Sequence, residues 1–157
     1  MSRRAAFWLA WSLCAFVLLL QVLSALPIFL GWSTPLPEGW IPWRDQTVTL
    51  LGAPVGVILA GLIASRRPEN PYGWLWLCFG FGVTLVGFAH CYAAYALVVN
   101  PGFLPAPRVV GTVVAGVGFD VVITLLPLLL LLFPTRHPPS RLWRILVWLV
   151  LIMGGCC

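Results

Sequence analysis

Four residues that could take part in chemistry interrupt long apolar stretches of the sequence. They are Gln21, Thr49, His90 and Asp120. If each stretch is a membrane-crossing helix, a rise of about 1.5 Å per residue puts Gln21 roughly 24 Å, His90 roughly 27 Å and Asp120 roughly 20 Å from one membrane face. Thr49, near the start of its stretch, falls at a similar height. The spacing therefore predicts one polar layer in the far half of a helical bundle.

Asp120 is the most costly of these residues to place in a membrane. A central Asp costs about 2.5 to 3.5 kcal/mol on the insertion scale, and each surrounding Leu, Ile, Val or Phe returns about 0.3 to 0.6 kcal/mol, so this stretch still inserts. An intramembrane carboxylate normally has a partner. One hypothesis is that Asp120 interacts with His90 directly or through water, with Gln21 as a neighbour. The interpretation we favour is a protonated Asp120 bonded to a backbone carbonyl or a threonine.

The residue pattern gives little support to other kinds of site. The sequence contains no Walker loop, nucleophile elbow, HExxH or paired-carboxylate motif. The five cysteines show no CxxC spacing and have no histidine pair nearby, so neither a zinc site nor a disulfide framework is indicated. A haem held by two histidines is disfavoured because His137 lies outside the apolar stretches. We expect no catalytic residues, no metal and no cofactor.

The elements that must position the polar residues have the composition of transmembrane helices. The chain is 61% hydrophobic and 8% charged, whereas soluble domains are roughly 25% charged. Helices of about 20 residues cross the hydrocarbon layer and pair their own backbone groups. Four stretches are long enough: residues 5–30, 47–64, 72–99 and 109–133. With the shorter stretch 145–157, the sequence predicts an all-α membrane bundle, four transmembrane helices plus an incomplete fifth, as a single domain over residues 1–157.

Arginine distribution predicts the orientation of this bundle. The formal net charge is +5, but the arginines sit in short loops, which favours membrane orientation over nucleic-acid binding. If the helices alternate, one side carries Arg3, Arg4, Arg66, Arg67, Arg136, Arg141 and Arg144. The other side carries Arg44 and Arg108. The positive-inside rule then predicts a multi-pass inner (plasma) membrane protein with a cytoplasmic N terminus. We expect the lipid bilayer as its partner, and a second copy or another membrane protein as alternatives.

The stretch SRRPENPYGWLW, Ser65 to Trp76, predicts a tight cytoplasmic turn between two helices. Pro68 and Pro71 end helix propagation and favour extended backbone just before each proline. Basic and aromatic residues anchor such a turn at the headgroups. The expected anchors here are Arg66, Arg67 and Trp74, with Arg141, Trp143 and Arg144 at the next cytoplasmic segment.

Small residues also mark helix faces. Gly52 and Gly56 form a GxxxG pattern, and Gly80, Gly87 and Gly111 add further small positions. Glycines at this spacing allow helices to approach closely. We expect these glycines to pack inside the bundle, and the alternative is a dimer contact.

Three stretches resemble the N-terminal membrane region of bacterial sensor histidine kinases. Ser65–Trp76 resembles the family's SRRPxNPxGW element. YAAYALVVNPGFLP, Tyr92–Pro105, is similar to its YAxYAL and PGxLP segment. LLLLLFPTRHPPSRLWR, Leu128–Arg144, is similar to its leucine run, FP turn and PSxxWR segment, with Arg136 and His137 where the family commonly has Gly. The likeness covers about residues 50–150.

The resemblance implies a sensory or anchoring module of two-component signalling. The family's phosphoaccepting histidine helix and ATP-binding domain have no counterpart in the sequence, so the implied module is non-catalytic. The short fifth stretch and the MGGCC ending predict a truncated form of such a region. The alternative function is a small transporter or channel subunit that uses Asp120 and His90 along a polar path.

Overall fold

The computed structural model describes residues 3–132, and every regular element in that range is helical. Helix α1 is Arg3–Gly31 and helix α2 is Trp43–Arg66. Helix α3 is Pro71–Ala94, extended by a π turn at Tyr95–Val99. Helix α4 starts with Pro107–Val109, passes through a π segment at Val110–Val114 and continues as Ala115–Leu132. All four are long and apolar enough to cross a membrane.

The predicted helical class and the four membrane-length helices are thus confirmed. The predicted fifth segment, 145–157, lies outside the described residues. The largest difference in bounds is at α2, which begins at Trp43 rather than at residue 47. Its first turn is polar and so escapes a hydropathy criterion, but Asp45 there complements the positive end of the helix dipole. Trp43 is 6% exposed and packs onto Gly31 of α1.

Helix α3 is at the centre of the arrangement. Helices α1, α2 and α3 pack against one another, whereas α4 makes its extensive contact with α3 alone. Small side chains at the centre of the three-helix contact allow the backbones to approach closely. This core contains Ala10, Cys14, Val17, Val57, Ala60, Ala64 and Leu77.

The glycines at helix contacts are not those that the GxxxG pattern suggested. A Cβ at Gly82 of α3 would lie 3.0 Å from the carbonyl oxygen of Gly118 in α4, so only glycine allows this approach. In contrast, Gly52 and Gly56 of α2 are exposed, and a Cβ at either position would have no atom of residues 3–132 within 4 Å. The expectation that these two glycines pack inside the bundle is wrong, because α2 buries a face about a quarter-turn away, through Val57. The dimer contact stays a prediction.

The bundle has two ends, which we name by their connections. The turn end holds Arg3 and the α2–α3 connection. There, the Asn70 side chain accepts a hydrogen bond from the Tyr72 amide at 3.2 Å, and Trp74 Nε1 donates to the Pro68 carbonyl at 3.3 Å. The loop end holds the other two connections. There, Trp43 Nε1 donates to the Thr34 carbonyl at 3.1 Å. Both ends are therefore fixed by a tryptophan that bonds to a loop carbonyl.

Candidate functional site

A cavity of about 20 Å³ lies in the loop-end half of the bundle, among α1, α2 and α3. Its polar wall residues come from all three helices: Gln21, Ser24, Gln46, Thr49, Thr84 and Cys91. Four of these side chains, Gln21, Ser24, Gln46 and Thr84, are between 5% and 6% exposed. Helix α1 contributes Gln21 and Ser24 to the cavity. The residues at positions 10, 14, 17, 21, 24 and 28 are spaced alternately by four and three, so they share one buried face of the helix. The polar groups of α1 therefore sit within its packed face and are shielded from the surroundings of the bundle.

Hydrogen bonds connect the walls of this cavity across helices. Gln21 Nε2 donates to Thr84 Oγ1 at 3.2 Å, and Thr84 Oγ1 donates to the carbonyl of Gly80 at 2.8 Å. Cys91 Sγ donates to Gln46 Oε1 at 3.8 Å. Helix α3 is thus bonded to α1 through one pair and to α2 through the other.

One acceptor in the cavity is left over. Gln21 Oε1 is buried and has no hydrogen-bond partner among residues 3–132. A buried acceptor without a donor costs about 1–3 kcal/mol. The Gln21 amide is therefore satisfied at its nitrogen but not at its oxygen.

A second cavity, of about 270 Å³, adjoins the first between α2, α3 and α4. The two share Gln46, Thr49, Val83 and Gly87 as wall residues. Asp45 lines the second cavity towards the loop end, and Phe119 of α4, which is 56% exposed, lines it on the opposite wall. The polar cavity therefore borders a groove that opens on the surface between α2 and α4.

Of the four predicted polar residues, the structure brings two to the cavity. Gln21 and Thr49 both line it, and the Thr49 hydroxyl donates to the Asp45 carbonyl of its own helix at 3.2 Å. His90 is half-buried elsewhere on α3, with its ring 5.3 Å from that of Trp40. His90 Nε2 is buried and finds no hydrogen-bond partner in the described range.

Asp120 joins neither the cavity pair, Gln21 and Thr49, nor His90. It is half-buried on α4 and makes no hydrogen bond or ion pair with any residue between 3 and 132, so the direct pairing with His90 and the bond to a carbonyl or threonine are both missing. The helix register explains the separation. Gly111 packs near Ala93 and Gly118 near Gly82, which puts Asp120 at about the level of Gly82. His90 lies eight residues further along α3, or about 12 Å.

The predicted anchors fall at the turn end. Arg66 lies in the last turn of α2, where a cation is favoured by the helix dipole, and Arg67 follows as its C-cap. Trp74 is the half-buried ring that bonds the turn at Pro68. The other predicted anchors, Arg141, Trp143 and Arg144, lie outside the described residues. In the described part of the chain, no group of three or more His, Cys, Asp and Glu side chains could hold a metal ion.

Sequence reasoning missed four wall residues: Ser24, Gln46, Thr84 and Cys91. Candidate residues were selected by their ability to ionise and by their expected depth in the membrane. The helix face on which each residue lies was not considered. The sequence of α1 did contain a usable signal. Gln21 and Ser24 continue the three- and four-residue spacing of Cys14 and Val17, so all four lie on the same helix face. Gly80, Thr84, Gly87 and Cys91 likewise share one face of α3.

Comparison with known proteins finds no matching family model, no matching curated protein and no matching solved structure.

Proposed function

We propose that this chain is a non-catalytic sensory or anchoring module of the inner membrane, related in role to the input region of a sensor histidine kinase. The observation that carries the proposal is the bonded polar cluster of Gln21, Thr84, Gln46 and Cys91 inside an otherwise apolar bundle. Polar groups at membrane depth are expensive, and they usually mark function.

The membrane assignment is supported by the four helices of membrane length. Among described residues, Arg3, Arg4, Arg66 and Arg67 lie at the turn end, and only Arg44 and Arg108 lie at the loop end. By the positive-inside rule the turn end, with the N terminus, faces the cytoplasm. The polar cavity then lies in the outer half of the membrane.

The sensory role is supported by the resemblance of Ser65–Trp76 to the turn element of the kinase input region. In this chain the stretch forms the bonded connection between α2 and α3. Output would pass by packing to a second copy or to another membrane protein. Helix α4 is the element suited to move, because it packs extensively on α3 alone.

Cysteine labelling tests the orientation. Ser33→Cys at the loop end and Glu69→Cys at the turn end would each be placed in a chain without native cysteines, since both positions are exposed. A membrane-impermeant maleimide should label Ser33→Cys in intact cells and Glu69→Cys only after permeabilisation. The cysteine-free parent is the control, and the reverse labelling pattern would contradict the orientation.

Distance measurement tests the sensory role. Spin labels on Leu51→Cys of α2 and Val117→Cys of α4, which are 72% and 53% exposed, would report on the gap between these helices. In full-length protein, a sensory module should show two distance populations whose ratio changes with bilayer thickness. A pair on α1 and α2, Leu19→Cys with Leu51→Cys, should stay constant as the control. One invariant α2–α4 distance in all bilayers would leave anchoring as the only role.

The second candidate is a small transporter or channel subunit. It is favoured by one observation: Asp120 and His90 Nε2 are polar groups with no hydrogen-bond or ion-pair partner among residues 3–132. Proton or solute flux through reconstituted protein that Asp120→Asn abolishes would favour this alternative. The sensory proposal expects no flux above that of protein-free vesicles.

A further inference from the structure

The unused hydrogen-bonding groups of the polar cavity are mainly acceptors. Three hydroxyls line it, and each donates its proton to a backbone carbonyl: Ser24 to Leu20, Thr49 to Asp45 and Thr84 to Gly80. Since a hydroxyl has one proton, none of the three can donate to an occupant. Gln21 Oε1 is buried and has no partner within the described part of the chain. The cavity is therefore rich in acceptors and needs a donor.

One donor complements these acceptors. Gln46 Oε1 accepts from Cys91 Sγ, but Gln46 Nε2 donates to no described residue. Gln46 and Gln21 line the same cavity. A hydroxyl group both donates and accepts, so it fits Gln21 Oε1 and Gln46 Nε2 together, whereas an ammonium group could serve only the acceptors.

The two adjoining cavities divide a ligand into a small head and an apolar body. The inner cavity, at about 20 Å³, has room for one water-sized group. The outer cavity, at about 270 Å³, is walled mainly by Val83, Val86, Phe119 and Val122. Pockets for organic ligands start at roughly 300 Å³, so only a small molecule fits.

The outer cavity opens laterally between α2 and α4, on a side of the bundle that would face the bilayer. Helix α4 packs on α3 rather than on α2, which leaves a gap between α2 and α4. On α2, residues 45, 49, 52 and 56 share one face, and the last two are the glycines with open space around them. A molecule dissolved in the membrane could therefore reach the cavity without unpacking the bundle.

From these observations we propose that the groove between α2 and α4 binds a small membrane-soluble alcohol. Its hydroxyl donates to Gln21 Oε1 and accepts from Gln46 Nε2, and its apolar body lies against Val83, Val86 and Val122. The site rests on the proposed function in one respect, since it would be the input site of the sensory module. Binding is measured directly, so its failure is distinct from failure of the α2–α4 distance experiment.

Photolabelling tests the binding. Full-length protein in phosphatidylcholine vesicles would be irradiated with a diazirine-bearing hexanol, and labelled residues mapped by mass spectrometry. Labels should fall on α2 and α3 near Thr49 and Gly87, and excess hexanol should compete. A diazirine-bearing hexane, which lacks the hydroxyl, should label these positions about tenfold less because one buried hydrogen-bond network is lost.

Two test variants and one control variant distinguish binding at a specific site from partitioning of the probe into lipid. Gly87→Val would fill the wall shared by both cavities, and no atom lies within 4 Å of a Cβ there, so the fold should tolerate it while labelling is lost. Gly116→Val is the matched control, since Gly116 also has open space but lines neither cavity. Gln21→Met keeps the side-chain length, removes the acceptor and should lower labelling about tenfold.

The outcomes are distinguishable. Circular dichroism and gel filtration in detergent would establish that each variant is folded. Equal labelling by hexanol and hexane probes, or full labelling of folded Gly87→Val, would overturn the proposal. Absence of labelling above that of lipid-facing residues would also overturn it, because the cavity would then hold water alone.

Discussion

The two sides of α3 are held by different means. Towards α1 and α2, side-chain hydrogen bonds cross the interface, at Gln21 with Thr84 and at Gln46 with Cys91. Towards α4, glycines bring the backbones together, and a Cβ at Gly118 would lie 2.8 Å from the carbonyl oxygen of Gly82. Polar bonds and close glycine contacts are the two general ways in which helices associate in lipid. The α4 side of α3 relies on close glycine contact, whereas the α2 side combines hydrogen bonds with one such contact nearer the turn end, where a Cβ at Gly73 would lie 2.8 Å from the Ala64 amide nitrogen.

The difference decides where a cavity can form. A glycine contact works by leaving no space, and the Gly82–Gly118 contact has none. A side-chain hydrogen bond spans several ångströms between backbones, so its neighbours need not fill the interface. The cavity of about 20 Å³ accordingly lies on the hydrogen-bonded side, and the cavity of about 270 Å³ opens beside the glycine contact, between α2, α3 and α4. The hydrogen-bonded side therefore has room for a small group, whereas the Gly82–Gly118 contact itself holds α3 and α4 in close backbone contact.

The largest effect is expected when the glycine contact is broken. Gly118→Ala places a methyl group against the Gly82 carbonyl and Val86, so unfolding in an SDS titration should become easier by about 2 kcal/mol through overpacking. Gly116→Ala, two residues earlier with open space, should be neutral or slightly stabilising. Equal effects of the two changes would show that the glycine contact does not hold α4.

A smaller effect is expected on the hydrogen-bonded side. Thr84→Val removes the acceptor of Gln21 Nε2 and should lower the free energy of unfolding by about 1 kcal/mol, since hydrogen bonds between membrane helices average about 0.6 and reach about 1.7 kcal/mol. A double-mutant cycle with Gln21→Met measures the pairwise term. Additive effects in that cycle would mean that the 3.2 Å contact contributes no coupling.

A small gain is expected on the open face of α2. Gly52→Ala and Gly56→Ala meet no atom within 4 Å, so each should stabilise the helix by about 0.5 kcal/mol through reduced backbone freedom. Thermal unfolding in detergent measures the gain. A loss of stability, together with a shift to a smaller species in gel filtration, would instead reveal a dimer contact at these glycines.

The smallest effect is expected at Asp120. Asp120→Asn keeps the size of the side chain and removes no hydrogen bond or ion pair within residues 3–132, so the free energy of unfolding should change by less than about 0.5 kcal/mol. Chemical unfolding in the same detergent provides the measurement, and Glu38→Gln in the exposed loop between α1 and α2 is the control. A loss above about 1.5 kcal/mol, as hydrogen bonds to charged groups contribute, would show that Asp120 has a partner in the intact protein.

Local physics made the helices predictable. Apolar stretches of sufficient length must pair their backbone groups internally, so α1, α3 and α4 were predicted to within a few residues. The α2–α3 turn followed from Pro68 and Pro71 because proline restricts the residue before it. The start of α2 was misplaced because its first turn, from Trp43, is polar and hydropathy does not detect it.

The sequence by itself determined how many helices of membrane length the described chain forms and which residues connect α2 to α3. Tertiary structure alone decided which faces meet: Gly82 with Gly118 instead of the Gly52–Gly56 pair, Gln21 with Thr84, and Asp120 some two helical turns from His90. The physical reason is that the exposed faces of these helices are as apolar as the buried ones, with Phe29 and Leu51 82% and 72% exposed. Hydrophobicity therefore does not distinguish buried from exposed sides here, and only the fit between side chains of neighbouring helices sets the register.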